Sequence, residues 1–480
     1  MNTRFRLPLI ALMGLALTVA TPQAQQAKPA ARTSTPINIP FEQYTLPNGL
    51  RVILSQDKAT PTVAVNLWYH VGSKNEEAGR TGFAHLFEHV MFTGSGNIPY
   101  GTHDKLTNGV GGSNNGTTDN DRTLYYETVP ANYLETAIWL EADRMGYLLD
   151  ALDIAKLNAQ RDIVKNERRQ RVDNQPYGRV GEILSASMYP QGHPYSWSVI
   201  GSMEDLSAAS EEDVKSFFRL YYAPNNAILT IVGDIDPART KQWITKYFSG
   251  VERGKAITRP GIEPVNLSTE KRLVYEDKVP LPRLHVQWPT VGARHPDVFA
   301  LSVLGSVLSS GRTARLTKAL VYDKQAAASI GAFQSTSEDV GEFSLTVTPR
   351  AGSTLTSLEQ EADAIIEKLK AEGPTTQELQ LATASQELQF VSGLQSNLGK
   401  SNQLADGAGY QNNPAYYRTA YDARRAVTPG DVKRVAGKYL TKGRVVLSVV
   451  PEGKPELAAK PEASQKVGPA DKLGSGGEVN

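Results

Sequence analysis

"SEEDVKSFFRLYYAPNNAILTIVGD" at residues 210–234 and "TPGDVKRVAGKYLTKGRVVLSVVPE" at residues 428–452 share one plan. Ser210 aligns with Thr428, Asp213 with Asp431, Tyr221 with Tyr439 and AILTIV with VVLSVV, at a constant offset of 218 residues. Each copy reads as a capped helix, a turn and an apolar strand. The same local order, repeated without a gap, points to an internal duplication. The fold class that follows is α+β, in two related halves of about 200 residues, an ordinary domain size.

Working outward, the halves are expected at residues 41–260 and 261–455, joined near the Gly-, Pro- and charge-rich "SGVERGKAITRPGIEPVNLS" (249–268). The first half opens on "YTLPNGLRVIL" (44–54), where Asn48-Gly49 suits a tight hairpin turn. In "VAVNLWYHV" (63–71) apolar residues alternate from Val63 to Val71, which predicts a strand with one buried face. Residues 456–480 hold hardly any large apolar residue and are expected to be a disordered tail.

Composition removes whole classes of function. Lys plus Arg (51) balances Asp plus Glu (50), so no overall field directs the chain to nucleic acid or an anionic membrane. The absence of Cys excludes disulfides, thiolate zinc clusters and cysteine nucleophiles, so any metal site uses His, Asp and Glu. Arg4 and Arg6 precede an apolar run from Leu7 to Ala20, the pattern of a signal peptide spanning residues 1–24. A Pro/Ala/Thr-rich linker (25–40) follows, and the mature protein is expected to be exported, periplasmic or secreted, and off the membrane once the signal is removed.

Seven histidines serve the whole chain, and two fall within "HLFEH" at 85–89. Phe83, Leu86, Phe87 and Val90 recur at helical spacing and form one apolar face, which leaves His85, Glu88 and His89 on the opposite side. Two imidazoles one turn apart can reach one metal ion, and a catalytic zinc takes a third protein ligand and keeps one position open. In "LNAQRDIVKNERRQRVDN" (157–174), Glu167 falls on the apolar side of a charged helix. An inward acid needs a metal, a cation or a proton, so Glu167 is either that third ligand or half of an ion pair with a nearby arginine. Glu88, adjacent to a ligand yet spare, suits the general base that deprotonates the attacking water.

These residues make the chain resemble the insulinase/pitrilysin family of inverted zinc metallopeptidases, whose signature is H-x-x-E-H. The resemblance runs over nearly all of residues 40–455 and includes "HPYSWSVIGSMEDL" (193–206) and "NNGTTDNDRTLYY" (114–126). The short bacterial two-domain type is similar to subunits of mitochondrial processing peptidase. The resemblance implies two homologous domains, each a mostly antiparallel sheet packed with helices, together half of a clamshell. It implies one zinc per chain held by His85, His89 and Glu167, with Glu88 as base and peptides as substrates. Glu167 lies 78 residues after His89, which fits the spacing the resemblance implies for the third ligand. It also implies that an edge strand near the zinc receives extended peptide, with Asn115 contacting it.

Two departures accompany the likeness. Many relatives carry a second Glu seven residues before the third ligand, where this chain has Gln160. Active single-chain relatives carry an Arg and a Tyr in the second half, where "ARLTKALVYDKQAAASIGAF" (314–333) has Val321 and Ala328, with Tyr322 off register. At the 218-residue offset His85, Glu88 and His89 become Val303, Ser306 and Val307. The expected protein is therefore a zinc endopeptidase working as a homo- or heterodimer whose related subunit supplies the substrate clamp. The rival expectation is a non-catalytic peptide-binding or assembly subunit.

Overall fold

The computed structural model describes residues 37–259 and 261–468, so the expected signal peptide and most of the linker lie outside the described residues. In both copies of the duplicated block a capping box forms. The Ser210 and Thr428 hydroxyls accept from the third helical N–H, and Asp213 and Asp431 reach back to the cap. Each cap stabilises its helix by about 1 kcal/mol. The helices run Glu211–Tyr221 and Pro429–Tyr439, and the strands after them Ala227–Gly233 and Val445–Pro451, the same bounds shifted by 218.

Those two strands sit inside two sheets of one design. The first sheet holds β1 (Glu42–Thr45), β2 (Arg51–Gln56), β3 (Thr62–Tyr69), β4 (Ser113–Thr118), β5 (Thr123–Pro130) and β6 (Ala227–Gly233) in the order β1-β2-β6-β3-β5-β4. The second holds β7 (Lys271–Asp277), β8 (Arg283–Val291), β9 (Ala327–Thr336), β10 (Val340–Pro349), β11 (Val445–Pro451) and β12 (Gln465–Lys466) in the order β12-β7-β11-β8-β10-β9. Pairing is antiparallel except β2 with β6 in the first sheet and β7 with β11 and β12 in the second. The two homologous α+β halves, each a mostly antiparallel sheet packed with helices, are thus as expected. The Asn48-Gly49 turn joins β1 to β2, with Gly49 at φ +96° and the Asn48 amide donating to the Phe248 and Val251 carbonyls.

One expectation fails in an instructive way. β3 is buried on both faces, not one. Its second face is covered by the helix Asn397–Gln411 from the other half, which lies across β3 and β6. The equivalent helix of the first half, Val180–Met188, packs on β11, placing Ile183, Leu184 and Met188 in a cluster with Leu273, Val445, Leu447 and Val449. The two halves exchange helices. Small residues permit the close fit: a Cβ at Gly409 would lie 2.5 Å from the Trp68 ring. Asn66 Nδ2 donates to Asn402 Oδ1 (2.7 Å), Asn397 Nδ2 to the Thr62 carbonyl (3.0 Å) and Arg51 to the Ala408 carbonyl (3.1 Å).

The tail expectation is corrected as well. Residues 456–468 are ordered: Ala459 donates its N–H to Ser448 Oγ (3.0 Å), β12 pairs with β7, and Ala458, Ala459 and Val467 are buried. Backbone pairing and small apolar side chains suffice where large ones are missing. Residues 469–480 lie outside the described residues. No described helix is long and apolar enough to cross a membrane.

Candidate metal centre

The motif helix spans Phe83–Val90 and starts at Gly82, whose φ of +89° and contact with the Ile200 carbonyl (2.8 Å from a Cβ built there) exclude a side chain. Buried Glu76 closes its N-terminus: Oε2 accepts from the Gly82 N–H (2.9 Å) and Oε1 from the Ala84 N–H (2.8 Å). Phe83, Leu86, Phe87 and Val90 are in the core, as their spacing predicts. His85, Glu88 and His89 stand on the opposite side, with the two imidazole rings nearly perpendicular (88°) and 4.8 Å apart.

Glu167, on the helix Ile154–Arg168, comes to the same point. Its Oε2 lies 3.1 Å from His89 Nε2 and 3.6 Å from His85 Nε2. Its Oε1 lies 2.6 Å from Arg171 Nη1. The arginine ion pair that the sequence left open is present, made by Arg171, and the other carboxylate oxygen faces the two histidines. Burial is the main cause that keeps both imidazoles neutral, the form that ligates a metal. It acts with the neighbouring His89 to push His85 down to about 4, and it lowers His89 too, against the opposing pull of Glu167.

The donor set fits zinc. Tetrahedral bonds of about 2.0–2.1 Å separate ligand atoms by roughly 3.3–3.4 Å, and the observed 3.1 and 3.6 Å bracket that spacing. Among the described residues two other clusters of His, Asp and Glu come as close together, and both already contain a cation. Among His103, Glu127 and Glu141 it is the buried Arg144, held by two bonds to Glu141. Among Asp121, Glu338 and Asp339 it is Lys74, within 2.6–3.0 Å of all three. Around His85, His89 and Glu167 the cation stands on the outer carboxylate oxygen, and the other oxygen faces the imidazoles.

Glu88 is not one of the three clustered donors. Its Oε2 accepts from the Thr118 hydroxyl on β4 (2.7 Å). Gly116 brings that strand close: a Cβ there would lie 2.8 Å from Glu88 Cγ. Burial raises the Glu88 carboxyl above its ordinary range, opposed by the Thr118 hydrogen bond. Arg122, at the end of the β4–β5 turn, donates to Thr117 Oγ1 (2.9 Å) and stands 4.0 Å from Asp406 of the exchanged helix Asn397–Gln411.

Asn115 is exposed on β4, the edge strand, and its Oδ1 accepts from the Gly116 N–H (2.9 Å). Gln160 is buried on the Glu167 helix. In the second half Val303 and Val307 are buried, and Ser306 accepts from the Gln386 amide (2.9 Å), so that half presents no metal donors at the equivalent places. Val321 is half-buried, Ala328 is exposed on β9, and the exposed Tyr322 has its hydroxyl 3.3 Å from Arg312 Nε. Sequence reasoning named an arginine partner for Glu167 without choosing Arg171, and missed Arg122 and the hold of Thr118 on Glu88. Only the i to i+4 spacing of Glu167 and Arg171 could have singled out that arginine.

The chain is similar to known peptidases over most of its length. Residues 51–201 match the family described as insulinase (peptidase family M16), and residues 208–385 match the M16 inactive domain. The zinc protease PqqE of Helicobacter pylori is 31% identical over 374 residues, covering 76% of this chain and 82% of that protein. An uncharacterized zinc protease of Bacillus subtilis, YmxG, is 26% identical over 344 residues, covering 71% and 81%. The crystal structure of a protease from Helicobacter pylori superposes with a TM-score of 0.80 at 29% identity, covering 86% of this chain and 99% of that one.

Proposed function

Because the chain belongs to the insulinase (M16) family of peptidases, we propose that it is a zinc endopeptidase cleaving peptides or small unfolded proteins. The ligands are His85, His89 and Glu167, and one ion binds per chain. The observation that carries this reading is a three-donor cluster with an unligated, hydrogen-bonded carboxylate, Glu88, one residue from a donor. A zinc ion at this cluster would supply Lewis acidity toward water and a peptide carbonyl.

The chain's own residues do the rest. Thr118 holds Oε2 of Glu88 and leaves Oε1 to take a proton from the attacking water. Its raised carboxyl pKa suits a group that must also return that proton to the departing amide nitrogen. β4 lies at the sheet edge, so its outer backbone groups are able to pair with an extended peptide, and Asn115 stands there for contact with it. Backbone pairing grips a substrate with little regard to its side chains.

Val321 and Ala328 occupy the positions where active relatives carry a substrate-clamping Arg and Tyr. We therefore infer a dimer in which a related subunit or second copy supplies that clamp, in an exported compartment reached through residues 1–24. The test is zinc content and cleavage of a quenched-fluorescent peptide library by wild type and Glu88→Gln. The variant is expected to keep its zinc and to lose at least ~100-fold in turnover. Unchanged turnover overturns the assigned base, and full activity of a monomer across protein concentrations overturns the dimer.

A further inference from the structure

Among the described residues Arg171 is the cation paired with the proposed ligand set. The other basic groups of its segment are engaged elsewhere: Arg168 binds Glu182 and the Gly201 carbonyl, and Arg169 binds Asn166. Arg171 Nη1 instead meets Glu167 Oε1 at 2.6 Å, while Oε2 of the same carboxylate faces His89 and His85. The residue sits in a π-helical turn, Arg169–Asp173, that follows directly on the Glu167 helix. Such turns concentrate at functional sites.

A plain surface ion pair would explain the contact but not its consequence. The Arg171 side chain is 76% exposed, so the pair by itself adds little to stability. What it changes is the carboxylate. An unrestrained Glu167 could rotate and offer a metal one oxygen or two; with Oε1 taken, only Oε2 is presented, already aimed between the imidazoles. We propose that Arg171 is a positioning residue of the metal centre, holding Glu167 to donation through one oxygen and so setting metal affinity. This rests on the zinc reading above.

Two effects of removing Arg171 oppose each other. Loss of a nearby cation favours binding another cation, but this charge faces solvent and is screened. Loss of the partner of a ligating carboxylate typically costs 10- to 100-fold in metal affinity. Orientation wins, so affinity falls.

Metal-stripped wild type, Arg171→Gln, Arg171→Ala and Arg171→Lys are titrated with zinc against a chromophoric chelator. They are also titrated with cobalt, whose visible bands report ligand geometry. The Gln and Ala variants are expected to bind zinc about tenfold more weakly or worse, with altered cobalt bands, and Lys to recover most of the affinity. Zinc binding as tight as wild type or tighter in Arg171→Gln, with unchanged cobalt bands, overturns the proposal. A wild type that binds neither metal overturns the zinc reading itself, which is a separate outcome. Thermal melts of the metal-free variants identify any that misfold.

Discussion

At the scale of single residues, the site is held by contacts whose geometry leaves little slack. Glu88 is fixed from one side by Thr118 and limited from the other by Gly116, where a Cβ would come within 2.8 Å of its Cγ. Gly116 has no left-handed backbone, so Ala is tolerated there by the strand itself. The methyl group would displace the flexible Glu88 side chain instead. Gly116→Ala is expected to retain zinc and melting temperature while losing roughly tenfold or more in turnover, since misplacement by an ångström is costly in catalysis. Steady-state kinetics beside metal analysis checks this, and wild-type turnover would show that the approach of β4 does not position Glu88 as the proposed base.

At the scale of elements, β5 is tied to the helices Thr102–Asn108 and Leu134–Ala151 by a buried polar cluster. His103 Nε2 faces Glu127 Oε1 at 2.8 Å, Arg144 holds Glu141, and Asn114 of β4 donates to His103 Nδ1 at 3.0 Å. Burial raises the Glu127 carboxyl to about 7, with Arg144 opposing. An acid raised on folding contributes stability that is complete below its unfolded value and is lost as pH rises through its folded value. Glu127 should therefore make the fold less stable with rising pH between about 4.5 and 7, by up to ~1.4 kcal/mol per pH unit. His103, pushed by burial down to about 4, acts in the opposite sense below its unfolded value near 6.5. The comparison is cleanest from pH 6.5 upward. Urea unfolding at pH 6.5 and 8 should show a smaller pH-dependent loss for Glu127→Gln than for wild type, and equal slopes would refute the assignment.

At the scale of the whole molecule, the helix exchange makes each half complete the other. Fully buried Ile183 on β11 and Trp68 against Gly409 sit at surfaces that an isolated half would expose to water. Each large apolar side chain so buried stabilises the fold by roughly 1.5–3 kcal/mol. Residues 37–259 produced alone are expected to aggregate or to bind a hydrophobic dye, and co-production with residues 261–468 is expected to rescue a soluble pair. A cooperatively melting isolated half, seen by calorimetry, would contradict this interdependence. A latch of Lys74 with Asp121, Glu338 and Asp339 joins the halves on another side.

Local spacing by itself determined a good part of this protein. The 218-residue offset specified two similar halves, the spacing of Phe83, Leu86, Phe87 and Val90 oriented His85, Glu88 and His89, and Asn48-Gly49 specified the first hairpin. Those readings succeed because helix and strand geometry relate residues a few positions apart. Only the tertiary structure decided that β3 is covered on both faces, that Ala459 and Val467 anchor the C-terminal segment, and that Glu167 divides its oxygens between Arg171 and the histidines. Asn66 and Asn402, or Glu88 and Thr118, meet because whole faces pack. No local period encodes which distant face will cover which, so the face that "HLFEH" presents was legible while the groups packed around it came from elsewhere in the fold.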